Sequence, residues 1–113
     1  MQIDNSQYGG FIVSKNVCNG IPIRYSFREK SSIAALNGWN YYSEADDDDY
    51  VNNPDNFVIL SAESMLKISR IPLILFNAPY GTDLCWLYEE GTLVGFYDLK
   101  ADRETTIEEI LRG

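Results

Sequence analysis

Four consecutive aspartates, Asp46, Asp47, Asp48 and Asp49, stand within WNYYSEADDDDYVNNPDN at positions 39–56, beside four aromatic rings and ahead of a polar turn holding one proline. Carboxylates so placed could ligate a hard cation, divide acid and base duties, meet a basic partner, or simply face water. Calcium and magnesium take several oxygen ligands, and the EF-hand loop spaces its acids or amides at alternate positions before a glycine and a later glutamate. Here Asp47 and Asp49 are followed by Val51, and no such glycine appears. Glycoside hydrolysis needs two carboxyls a defined distance apart across a cleft, which adjacent exposed aspartates do not supply. A carboxylate- or metal-dependent enzyme is therefore the weakest of the readings, and no catalytic residue, metal ligand or cofactor is assigned.

The aromatic neighbours favour a partner. Rings beside a charged rim have the composition of protein–protein hot spots. Strand alternation sends Trp39 and Tyr41 into the core, with Trp86, and leaves Tyr42 and Tyr50 to flank the carboxylates. The candidate partner-binding set is Tyr42, Glu44, Asp46, Asp47, Asp48, Asp49, Tyr50, Asn52 and Asp55. Against it stands a plain solvated turn, in which neighbouring like charges repel at small cost because water screens them.

Other chemistry is thinly supplied. The chain has no histidine, which removes Ser-His-Asp and Cys-His activation and every histidine-containing metal site. Gly9 and Gly10 are not followed by the further glycines or the GK[ST] of a phosphate loop. With 17 acidic against 9 basic residues the net charge is -8, a field that repels nucleic acid and anionic membranes and speeds encounter with basic proteins. Cys18 and Cys85 are a distant pair without C-x-x-C spacing, read as two reduced thiols with Cys85 buried. The longest apolar run, IPLILF at 71–76, is far short of the roughly 18 residues of a spanning helix. The amino terminus lacks the basic-then-apolar pattern of a secretory signal, so a cytoplasmic location is expected.

With 113 residues, 45% of them hydrophobic, the composition suits one domain over positions 1–113, with 1–8 read as a fraying end. GGFIVSK (9–15) reads as a strand, CNGIP (18–22) as a turn, and IPIRYSFRE (21–29) as a second strand burying Ile21, Ile23, Tyr25 and Phe27. These two are expected to pair as a hairpin. SSIAALNG (31–38) suggests a helical turn ending at Gly38, WNYYS another strand, and NPDN a reversal before FVIL (57–60). Ser61 is the expected N-cap of a helix over 62–70, and Pro72 its terminator, with LILF (73–76) extended. LCWLYEEGTLVGFYDL (84–99) is the strongest hairpin signal, Gly95 marking a bulge or a close packing contact, and Thr105 with Glu108 forms a capping box for a closing helix. The sum is α+β: a mainly antiparallel sheet with about two helices in a single compact domain.

Taken together, GGFIVSKNV, IRYSFRE and above all GWNYYSEADDDDYVNNPDN resemble the Imm33-type immunity proteins of bacterial polymorphic toxin systems, formerly a domain of unknown function. The shared features are a G-x-[IV]-V-S strand at 10–14, a [RK]-x-x-[FY]-R-E strand at 24–29, and a Gly-Trp, paired aromatics and acidic run closing on Y-x-N-x-P-x-N at 38–56. The resemblance spans 9–75. It implies a small intracellular α+β protein, not an enzyme, that binds and neutralises a cognate protein toxin. Toxin domains of such systems are often nucleases with basic grooves, which this acidic segment would complement. The alternative is a general protein-binding or scaffold module of another role. On the immunity reading, asparagines in place of the four aspartates should weaken binding and flatten its salt dependence while leaving the fold intact.

Overall fold

The computed structural model describes residues 5–113, and its seven strands form one sheet. In chain order they are β1 (Gly10–Ser14), β2 (Ile23–Arg28), β3 (Leu36–Ser43), β4 (Phe57–Leu60), β5 (Asp83–Glu89), β6 (Thr92–Asp98) and β7 (Arg103–Thr105). Their spatial order is β4-β1-β3-β2-β5-β6-β7, antiparallel except where β1 and β3 run parallel.

The expected hairpin between the first two strands is not formed, because β3 lies between them. The reason is burial. From Asn37 to Tyr41 every β3 residue is buried, so this strand needs a neighbour on both edges. A β1–β2 hairpin would have left it nearer the rim. Lys15–Cys18 forms a helical turn, α2, capped by the Ser14 hydroxyl, which accepts from Asn16 N at 3.2 Å.

A second correction concerns which face β2 buries. Ile23 pairs with Ser43 and Tyr25 with Tyr42, so β2 spends an extra residue at Arg24. One inserted residue reverses the side-chain alternation. Ile23 and Ser26 therefore face the core, while Tyr25 is 40% exposed and Phe27 lies with it on the opposite face. The buried Ser26 has a purpose: its Oγ accepts from Trp86 Nε1 at 2.9 Å.

Six helical segments are present among the described residues, more than the two expected, but four are single turns. Besides α2 these are α1 (Asn5–Tyr8), α3 (Asp48–Val51), α4 (Ala62–Ile68), α5 (Ile71–Ile74) and α6 (Ile107–Arg112), and a 3-10 turn over Pro54–Asn56 makes the reversal before β4. The two expected helices are the two longest. In α4, the Ser61 Oγ accepts from Ser64 N at 3.2 Å, as its cap position requires. In α6 the cap is Thr106, one residue later than the expected box, because Thr105 is taken into β7 opposite Phe96. Pro72 does not follow a helix end but sits in the first turn of α5, where a missing N–H costs nothing. The segment 73–76 is accordingly a helical turn and not extended. No helix forms over 31–38 either. Gly38 is inside β3 at φ +90°, and a β-carbon there would lie 2.2 Å from the Glu29 carbonyl oxygen, so this glycine permits a close strand approach instead of ending a helix.

The hairpin of β5 and β6 is as expected, turning at Glu90 and Gly91, both at positive φ. Its register slips between Leu87 and Tyr88, leaving Val94, beside Gly95, as the bulged residue. Phe11, Val13, Trp39, Tyr41, Leu84, Trp86 and Phe96 point to one face of the sheet and meet Val17, Met65, Leu75 and Ile110 from the helical side. Trp39 stacks on Tyr41 at 5.8 Å between ring centres, and Trp86 meets Tyr41 edge-on at 6.2 Å. Such aromatic pairs add about 0.5–1.5 kcal/mol each beyond simple burial. Residues 1–4 of the end read as fraying lie outside the described residues. Asn5–Tyr8 is tied down by Asn37 Nδ2, which donates to the Tyr8 carbonyl at 2.9 Å, and by an edge-on contact of Tyr8 with Phe76.

Candidate protein-interaction site

The four aspartates divide into two pairs. Asp46 turns inward. Its Oδ1 accepts from the Ser43 hydroxyl at 2.6 Å and from Asn16 Nδ2 at 2.8 Å, and its Oδ2 accepts from Ser43 N at 2.7 Å. Burial raises its carboxyl pKa, but hydrogen bonds from the Ser43, Asn16 and Ser14 side chains and the Ser43 backbone outweigh that and hold it below the usual value. Asp47 is the N-cap of α3, its Oδ1 accepting from Tyr50 N at 2.8 Å. Asp48 and Asp49 occupy the first turn of α3 and face water, where their charge suits the unpaired N–H groups of the helix start. Asparagine at 47 would keep the α3 cap through its amide oxygen, and the one neutralisation that removes a structural acceptor is at Asp46, whose two oxygens accept three hydrogen bonds.

Around this turn the remaining candidates fall in place. Glu44, Asn52 and Asp55 are exposed, and Tyr42 and Tyr50 are half-buried. The Tyr50 hydroxyl accepts from Asn16 N at 3.3 Å and donates to the Asn56 carbonyl at 3.4 Å, while Asn56 Nδ2 donates to the Tyr50 carbonyl at 2.8 Å. Its ring meets Phe57 edge-on at 6.2 Å. Phe57 also packs on Tyr42 at 5.2 Å, and Tyr42 on Phe27 at 5.3 Å. These four rings form a second, smaller aromatic cluster on the sheet face opposite the helices, and the acidic segment is moored to it. Trp39 and Tyr41, assigned to the core from alternation, are fully buried there.

Sequence reasoning missed two organising residues, one beside this turn and one at the opposite end of the β2–β3 pair. Asn16 supplies both a side-chain donor to Asp46 and a backbone donor to Tyr50; its only local signal is its place just after the capping Ser14. Arg28 is the other. Its Nε donates to the Asn37 carbonyl at 3.0 Å, and its Nη1 to the carbonyls of Phe76 and Ala78 at 2.7 and 2.9 Å. The guanidinium lies over the Tyr80 ring at 4.5 Å and the Phe76 ring at 5.0 Å. Trp39 Nε1 shares the Phe76 carbonyl at 3.1 Å. A planar five-donor fork can tie a loop to a strand in this way, and an ammonium cannot.

Chemically the arrangement offers hydrogen-bond acceptors, negative charge and aromatic surface. Among the described residues no three of His, Cys, Asp and Glu are grouped to hold a metal ion. Cys85 is buried, as expected, and Cys18 is exposed. Among the described residues no helix is long and apolar enough to cross a membrane.

Comparison with known families decides the relationship. The model of the immunity protein Imm33 domain matches residues 11–96. The chain belongs to the Imm33 immunity protein family. The matched stretch runs from β1 to Phe96 in β6 and takes in the acidic segment, the Phe27–Tyr42–Phe57 cluster and Arg28; β7 and α6 lie beyond it. Immunity families are typically non-catalytic, and membership in the Imm33 family implies a toxin partner. No curated protein and no solved structure shows significant similarity to the chain.

Proposed function

We propose that this Imm33 chain acts as a non-catalytic immunity protein that binds a cognate toxin in the cytoplasm and neutralises it by covering a basic surface. The observation that carries the reading is the membership in the Imm33 family, and the exposed carboxylates of Glu44, Asp47, Asp48, Asp49 and Asp55 on a firmly held turn support the mode of contact. Tyr42, Tyr50 and Asn52 border the same turn, and Asp46 contributes from beneath by fixing its shape. A toxin with a basic groove, such as a nuclease domain, is the complementary partner. Exposed charges of this kind raise the association rate and make it salt-sensitive, while apolar contacts govern dissociation.

The test is affinity capture from native cells at low and moderate salt, followed by expression of each retained basic protein with and without this chain. Growth arrest relieved by the chain supports the reading. Retained proteins that are harmless, or toxicity that persists despite a stable complex, would overturn it.

A further inference from the structure

We propose that the toxin's main anchor is an apolar side chain ringed by lysine or arginine, seated in a groove on the open face of the sheet, with the acidic turn serving as one wall of that groove. The identity of the occupant rests on the immunity reading; the groove does not. Helices α2, α4, α5 and α6 contribute Val17, Ala62, Met65 and Ile110 to the core on one face, together with Pro72 buried in α5. Opposite them, register places Ile59 of β4 beside Ile12 of β1, then Asn40 of β3 and Phe27 of β2, in one row across four strands.

At the β4 end of this row is a groove of about 560 Å³, lined by Ile12, Ile33, Tyr42, Val51, Phe57 and Ile59 among others. Ile59 and Ile33, exposed by 65% and 57%, are the two most exposed large hydrophobic residues described, and both line it. Scattered exposed aliphatics are ordinary, but convergence of the two most exposed on one concavity marks an interaction surface. Val51, Asn52 and Pro54 of the acidic segment line it, and Asp48, Asp49 and Asp55 are exposed within three positions of them, so a groove with no charge in its lining has carboxylates close in sequence to one wall. That charge selects the occupant. A second copy would bring a second acidic segment and its own net charge of -8 to the contact, whereas a basic surface gains at the carboxylates and buries its apolar residue in the groove.

The full chain is immobilised and used to select from a random dodecapeptide phage library at low salt, and each enriched peptide is then measured by fluorescence anisotropy. The variants are Ile59→Ser, the double change Asp48→Asn with Asp49→Asn, and Val94→Ser, another exposed aliphatic residue outside the groove's lining. The expected peptides are basic around a central aliphatic or aromatic residue. Their binding should fall about tenfold or more with Ile59→Ser, lose part of its salt dependence with the double change, and ignore Val94→Ser. Absence of enrichment, or peptides indifferent to Ile59→Ser, overturns the proposal. So does a concentration-dependent dimer abolished by Ile59→Ser, which would assign the groove to a second copy. Because no toxin is needed, these outcomes are separate from those of the immunity test: a neutralised toxin that ignores Ile59→Ser would keep the immunity reading and remove the groove from it.

Discussion

Asn16 Nδ2 donates to Asp46 Oδ1 at 2.8 Å across thirty positions of sequence, joining the first turn of α2 to the last residues before the acidic turn. The same carboxylate holds the Ser43 hydroxyl and backbone N–H. One aspartate thus ties the end of a central strand to a neighbouring connection, and its ionisation becomes part of the fold.

Asp46 therefore makes stability depend on pH. Its folded pKa is lowered, so its contribution is fully present above the ordinary carboxylate value of 3.8 and is lost as pH falls through the lower folded value. Asp46→Asn should cost about 1–2 kcal/mol at neutral pH, the scale of hydrogen bonds to a partly exposed charged group. Thermal melts from neutral to strongly acidic pH should show a gap between the two proteins that closes at the acid end. A gap constant with pH would mean that ionisation plays no part.

Within the aspartate run, stability and binding should separate by position. Asp47→Ala removes the cap of α3 and should cost about 1 kcal/mol, whereas Asp48→Asn with Asp49→Asn should stay within about 0.5 kcal/mol of the parent. The double change should instead slow association with a basic partner and flatten its salt dependence. Urea unfolding and stopped-flow association, run on the same preparations, measure the two effects.

Gly38→Ala should be among the most harmful single-methyl changes available. The new carbon would meet the Glu29 carbonyl at 2.2 Å, at a φ that L-residues rarely adopt. Strand β3 cannot retreat, since it is paired on both sides. A loss of about 3 kcal/mol or more is expected, read as a shifted urea midpoint or as insoluble expression. Near-parental stability would show that β2 and β3 can part there freely.

Tyr41 presents the opposite case. Its hydroxyl is buried without a hydrogen-bond partner among the described residues, and burial, opposed by the charge of Arg28, pushes its pKa well above the usual tyrosine value. An unsatisfied polar atom costs about 1–3 kcal/mol, so Tyr41→Phe should be neutral or stabilising by about 1 kcal/mol in guanidinium unfolding. Destabilisation would reveal an ordered water on that oxygen.

Local chemistry was legible in the sequence and long-range arrangement was not. The β5–β6 hairpin, the Ser61 cap of α4, the reversal at Pro54 and the burial of Trp39 and Tyr41 each follow from residues within a few positions of one another. Insertion of β3 between β1 and β2 depends on competition among whole strands, which no short window contains. The bulge at Arg24 needs a partner strand to define it, yet it inverted the reading of Tyr25 and Ser26. At the site, the acidic composition was plain, but separating Asp46 and Asp47 from Asp48 and Asp49 required Asn16, Ser43 and the backbone of α3. Arg28 was legible as the arginine of the R-E motif, but its role as a fork needs the carbonyls of Phe76 and Ala78, some fifty positions away.

The central position of β3 also dictates an order of assembly. Strands β2 and β3 can zip together as near neighbours, as can β5 and β6, but β1 precedes both and must wait until β3 exists before its parallel pairing can form. Strand β4, whose sheet partner is β1, follows β3 in the chain. Of the seven strands, the apolar β1 is thus synthesised before both of its partners, β3 and β4, and its edges are met only when they follow. The same geometry that gives the finished sheet its most buried strand leaves β1 exposed on both edges until later segments of the chain reach it.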